Sequence, residues 1–144
     1  MYKKVNSVLQ VFLVHPGGPI FKNKDAGAWS IPKGESLDDE DALTAGKREF
    51  LEETGHPVDG DFIKLSPIKL KSGKMVYAWA VEGDIDADVI TSNLFEMEWP
   101  PRSGKTASFP EVDRAGWFGV EEASGKLNPA QVALIEELVR LRSS

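Results

Sequence analysis

Apolar residues recur along this 144-residue chain with a period that changes from segment to segment. From Val5 to Val14 they occupy both faces and are rich in Val, which predicts a central strand covered on both sides. His15-Pro16-Gly17-Gly18-Pro19 breaks that run, and a polar loop continues through Lys24-Asp25. Ala28 to Ile31 reads as a short extended piece that Pro32 ends, and residues 35–40 as an acidic, turn-like loop. Asp41 is a good N-cap for a helix from about Ala42 to Thr54. Gly55 supplies the left-handed residue after it, and Pro57 forbids continuation.

Further on, Phe62 to Leu70 and Met75 to Val81 predict two strands joined in a hairpin at Ser72-Gly73. Gly83 to Asp88 is an acidic turn, and Ile90 to Asn93 a brief link. Leu94 to Trp99 alternates apolar and acidic residues, the period of a strand with two unlike faces. Pro100 to Pro110 reads as a loop carrying Arg102, Lys105 and Phe109. Ala115 to Phe118 predicts another strand and Val120 to Ser124 a helical turn. Asn128 caps and Pro129 starts a last helix to about Leu141, with Val132, Ile135 and Val139 on one stripe. With no repeat and no linker, the pattern predicts a single domain over residues 1–144, an α/β sandwich large enough to need no staples.

The first helix carries the most informative chemistry. Glu49, Glu52 and Glu53 sit at i, i+3 and i+4, so their carboxylates share one face. Ala42, Ala45 and Gly46 precede them on that face and are small enough to allow close approach to another element. Three adjacent carboxylates repel and raise one another's pKa. A hard divalent cation that prefers oxygen ligands, such as Mg²⁺, resolves the conflict.

Composition narrows the classes. The formal net charge is −6, which argues against nonspecific nucleic-acid binding, though a bound metal can reverse charge locally and admit a phosphorylated substrate. The absence of cysteine fits a reducing compartment, and the expected location is cytoplasmic. Lys3 and Lys4 before an apolar run imitate a signal peptide, but Asn6 and Gln10 interrupt the run and no small-residue cleavage site follows. No run is long enough to span a membrane.

Gly34, Glu40, Arg48-Glu49, Phe50, Glu52-Glu53 and Gly55 fall at the spacing G-x5-E-x7-R-E-U-x-E-E-x-G-U, where U is a bulky apolar residue. This resembles the Nudix box at every fixed position. The one departure is His56, where the family usually has an aliphatic residue, and it concerns packing after the helix. The resemblance is sharpest over residues 28–56. It implies a mixed sheet between helices and a hydrolase that attacks with water a nucleoside diphosphate linked to another moiety, using Mg²⁺ or Mn²⁺. Such ions neutralise diphosphate charge, polarise the attacked centre and lower the pKa of a bound water.

Carried over by position, Glu49, Glu52 and Glu53 look like the metal ligands, with the backbone carbonyl of Gly34 or its neighbour as the usual further ligand. Glu40 and Arg48 look like partners bracing loop against helix. The general base in such enzymes is a box glutamate or one from a later loop. Glu111 in FPEVDRAGWF fits the latter, just before a Trp-containing strand, with Glu96 and Glu98 as rivals. Lys33, Arg102 and Lys105 are candidates for substrate phosphates, Arg as a planar fork and Lys as a point charge. Trp99, Phe95 and Phe109 are candidates for stacking on a base. His15 and His56 receive no role.

Pro32-Lys33-Gly34 resembles the start of the box in dinucleoside polyphosphate hydrolases, where nucleotide-pool sanitising members more often show Pro-Gly-Gly. The substrate expected is therefore a nucleotide such as diadenosine tetraphosphate. NADH, ADP-ribose, nucleoside triphosphates and diphosphoinositol polyphosphates remain alternatives. A reading from another class is a nonenzymatic Nudix module that senses a nucleotide, usually marked by loss of box glutamates that are all present here. Monomer and homodimer are both open.

Overall fold

The computed structural model describes residues 1–33 and 40–142. In chain order the elements are β1 (Tyr2–Val5), β2 (Val8–Pro16), α1 (Ala42–Thr54), β3 (Ile63–Lys64), β4 (Ile68–Lys69), β5 (Met75–Val76) and β6 (Trp79–Ala80). There follow β7 (Leu94–Glu98), β8 (Thr106–Pro110), β9 (Val112–Gly119), α2 (Val120–Lys126) and α3 (Val132–Arg142).

The N-terminal apolar run is a hairpin, not one strand. Asn6 and Ser7 both take positive φ, 52° and 67°, between the paired Val5 and Val8. That is what a two-residue primed turn demands, and Asn tolerates it well. β2 then pairs antiparallel with β1 on one edge and β9 on the other, and is the centre of the sheet. A parallel bridge from Tyr2 to Glu82 brings the end of the β3–β6 hairpin beside β1, so the sheet is mixed.

Alternation along β2 divides the core. Val11 and Leu13 pack with Leu134, Ile135 and Leu138 of α3, whereas Phe12 and Val14 pack with Phe50 of α1. The sheet therefore lies between α1 and α3, the α/β/α sandwich that the residue pattern predicts. Phe12 is 1% exposed, with the rings of Phe50 and Trp117 at 5.8 and 5.5 Å. Truncating such a side chain costs about 3–5 kcal/mol.

Two expected strands are broken up. Phe62 to Leu70 yields only β3 and β4, because Pro67 between them has no N–H for a ladder. The N–H of Ser66 turns instead to the Glu137 carboxylate at 2.9 Å. The expected loop from Pro100 to Pro110 is also shorter than predicted. Thr106 to Pro110 is β8, which runs antiparallel to β7 with Glu98 opposite Thr106 and Leu94 opposite Pro110. Fully buried His15 takes a structural place: Nδ1 meets Asp113 Oδ1 at 2.8 Å and Nε2 the Lys24 carbonyl at 2.6 Å. No helix among the described residues is long and apolar enough to cross a membrane.

Candidate active site

The frame of the site is α1 and its two ends. Asp41 has extended φ and ψ and accepts the N–H of Thr44 at 3.1 Å, satisfying one of the open donors of the first turn. Gly55 closes the other end at φ 78°, and a Cβ there would lie 3.0 Å from the Thr91 carbonyl oxygen. His56 donates its N–H to Thr54 Oγ1, and its Nε2 meets the Val89 carbonyl at 2.5 Å. An aliphatic residue would lack the second contact.

Glu111 is delivered to this helix by backbone bonds alone. Asn93 donates its N–H to the Glu52 carbonyl at 2.8 Å, and Glu111 donates to the Asn93 carbonyl at 2.8 Å. On the other side the Glu111 carbonyl accepts from Gly17 at 2.9 Å. Gly17 has to be glycine, because a Cβ would fall 2.0 Å from the carbonyl oxygen of Pro110.

Carboxylate oxygens of Glu49, Glu53 and Glu111 lie within 4.8 Å of one another. Burial disfavours their charged forms and raises the pKa of each, most of all Glu53, which is pushed up to about 8. The backbone N–H of Lys33, 2.8 Å from Glu53 Oε2, and the charge of Arg48 beside Glu49 pull the other way. The neighbouring carboxylates add to the upward push. A set of oxygen donors this close and this poorly solvated fits a hard divalent cation. Glu52 is the expected ligand that the cluster does not include: its Oε2 is held by Arg48 Nη1 at 3.0 Å.

Arg48 is the hub of the surrounding charges. Its Nε and Nη2 grip the two oxygens of Glu40 at 2.9 and 3.0 Å, and Nη1 also reaches Glu49 Oε1 at 2.9 Å. These bonds hold the guanidinium strongly protonated. The reach to Glu52 follows the ordinary i, i+4 spacing and was readable as such. Gly34 lies outside the described residues.

The remaining candidates, Lys33 excepted, stand apart. Arg102 and Lys105 are exposed in the turn beyond β7, where Arg102 has φ 61° and its N–H meets Glu98 Oε1 at 2.5 Å. The five residues of β8, Thr106–Pro110, lie between the turn and Glu111, so at about 3.4 Å per residue the turn is roughly 17 Å from it along the ribbon. Glu96 and Glu98 lie on the exposed side of that ribbon, and Phe95 and Phe109 pack on each other at 6.1 Å. Trp99 is 37% exposed at the ribbon's end. Lys33 is exposed beside Glu53.

One feature was not anticipated. Ala42, Ala45 and Gly46, the second of them buried, line with Ala78 and Ala80 of the β3–β6 hairpin a cavity of about 490 Å³. A Cβ on Gly46 would meet nothing within 4 Å. Lys33, Lys47 and Lys74 border the cavity as well.

A family model described as NUDIX domain matches residues 5–138. No curated protein matches the chain. Among solved structures, the chain resembles a C. elegans Ap4A hydrolase in a binary complex at 18% identity and a TM-score of 0.63, covering 99% of this chain and 92% of that one. It resembles the E. coli ORF135 protein at 22% identity and 0.56, over 99% and 86%. The NUDIX domain of Shewanella oneidensis NrtR, complexed with ADP ribose, is similar at 15% identity and 0.67, over 99% and 83%. At such identities these likenesses establish the fold.

Proposed function

The chain belongs to the NUDIX domain family as a Nudix hydrolase acting on phosphoanhydrides, and on that premise we propose that it is a metal-dependent pyrophosphohydrolase for a nucleoside diphosphate linked to another moiety. The observation that carries the reading is the meeting of Glu49, Glu53 and Glu111 oxygens within 4.8 Å. A bound Mg²⁺ or Mn²⁺ would neutralise the carboxylates and the diphosphate and polarise the attacked phosphorus.

The chain's own groups divide the remaining work. Glu49 and Glu53 would hold the ion, with the Glu53 carboxylate oriented by the Lys33 N–H. Glu111, at the junction of β8 and β9, accepts the proton of the attacking water as general base. Arg48 clamps Glu40 and orients Glu49, and Glu52 stays on the Arg48 side of the face. The Lys33 ammonium meets substrate phosphate, and the adjacent cavity receives the group at the far side of the diphosphate. Arg102 and Lys105, set off along the ribbon, serve only the distant end of a long substrate.

Diadenosine tetraphosphate is the favoured substrate on the Pro32-Lys33-Gly34 sequence and the likeness to an Ap4A hydrolase; ADP-ribose is the second choice on the likeness to a domain solved with it. Retention of the box carboxylates favours catalysis over nucleotide sensing. A phosphate-release assay over a panel of nucleotides in Mg²⁺ or Mn²⁺ tests the proposal. Turnover that needs the metal is expected; none with any member would refute it.

A further inference from the structure

We infer that the cavity beside the carboxylates takes the substrate's non-phosphate group by shape and apolar burial, without reading its hydrogen-bonding edge, so that the enzyme tolerates exchange of the base. The inference rests on the function proposed above and narrows the substrate class of the same site.

The volume, about 490 Å³, falls within the roughly 300–1,000 Å³ usual for small-molecule sites. Its lining takes Ala42 and Ala45 from α1, Ala78 and Ala80 from the hairpin, and Leu134 and Leu138 from α3, the last four of which also belong to the α3-side core. The position ties the cavity to the chemistry. Lys33 borders it while its N–H holds Glu53, and Ala45 lies one turn before Glu49 on the same helix face. A group lodged there has its phosphates at the cation site.

The wall has little with which to read a base edge. Among the described residues it includes no Ser, Thr, Asn, Gln, Asp, Glu, Arg or His. Its polar side chains are three lysines, two tyrosines and one tryptophan. Lysine ammoniums at the border suit phosphate, not the paired donor and acceptor pattern that distinguishes adenine from guanine. The size of the effect follows from this difference. A site built to bond a polar edge rejects an analogue lacking it by about 10⁴-fold or more, whereas an apolar pocket separates near neighbours by about 10–200-fold.

The test is kcat/KM of the full chain with Mg²⁺ on dinucleoside tetraphosphates and on nucleoside diphosphate riboses, each made with adenine, guanine, cytosine and uracil. A spread below about 200-fold across the four bases is expected on whichever scaffold turns over. A wider spread overturns the inference and leaves the hydrolase reading intact; no hydrolysis with any base on either scaffold overturns both. Ala78→Leu places a larger side chain in the cavity. It should raise KM at least tenfold for every base with kcat held within threefold. A smaller rise in KM overturns the inference. If Ala78→Leu lowers Tm, Gly46→Leu makes the same measurement, because a Cβ there meets nothing within 4 Å.

Discussion

Lys33 donates its backbone N–H to Oε2 of Glu53 at 2.8 Å, joining the residue after Pro32 to the last carboxylate of the helix. The bond fixes one oxygen of Glu53 and leaves the other for a cation. Glu53→Gln keeps the volume and removes the negative ligand. It should lower kcat by more than the roughly 10–100-fold that loss of an outer-shell partner costs a metal site. Assay at saturating Mg²⁺ checks this, and near-normal turnover would refute the ligand assignment.

Metal-free protein should lose stability as pH rises. The Glu53 carboxyl sits near pKa 8 when folded, against 4.5 as its ordinary value. Between those two pH values the unfolded chain has released the proton and the folded one retains it, so each step upward favours unfolding. Tm in EDTA should fall from pH 5 to pH 8.5, and Glu53→Gln should flatten that slope. An unchanged slope would show that the carboxyl is not desolvated.

Mn²⁺ should raise Tm through preferential binding to the folded state, which adds about 2.7 kcal/mol of stability when the ion stands at a hundred times its Kd. The gain should be larger at pH 8 than at pH 5, because protons and the ion compete for the same oxygens. Thermal melts at the two pH values measure it. No shift at either would refute the cation site.

These expectations rest on parts of the molecule that were unequally legible in sequence. Asp41 and Gly55 announced the helix because caps are local, and three residues of context suffice to recognise them. Asn6 and Ser7 read as part of one strand from Val5 to Val14, since only positive φ at both of them distinguishes a turn from a continuous strand. Glu111 was recoverable from its neighbours, but its arrival beside Glu49 depends on the bonds through Asn93, which join distant segments. The cavity was hidden altogether. Its lining is drawn from α1, the β3–β6 hairpin and α3, segments far apart in the chain that no local pattern brings together.

Arg48→Lys should lower activity by about 10–100-fold, the usual cost of disturbing groups that orient metal ligands. A lysine ammonium cannot bond both oxygens of Glu40 and reach Glu49 and Glu52 together. Activity titrated against Mg²⁺ should show a higher metal requirement. Unaltered titration would leave the arginine a surface clamp.

Glu111→Gln should lower kcat with little change in KM, since a base acts in the chemical step. Arg102→Ala should leave both constants unchanged for ADP-ribose and raise KM only for a dinucleoside tetraphosphate. Steady-state kinetics on the two variants and two substrates decide the matter. A KM effect of Arg102→Ala on ADP-ribose would mean that the ribbon folds over the carboxylates.

The ribbon of β7 and β8 is rooted beside Glu111 and carries its cations at the far end. It is in effect a lever with its fulcrum at Glu111. With strand geometry of about 3.4 Å per residue, a ten-degree tilt carries the tip through about 3 Å and scarcely moves Glu111. Substitutions from Trp99 to Lys105 can thus alter how long a substrate is embraced while the reacting centre keeps its alignment. Reach and chemistry can change independently in this chain.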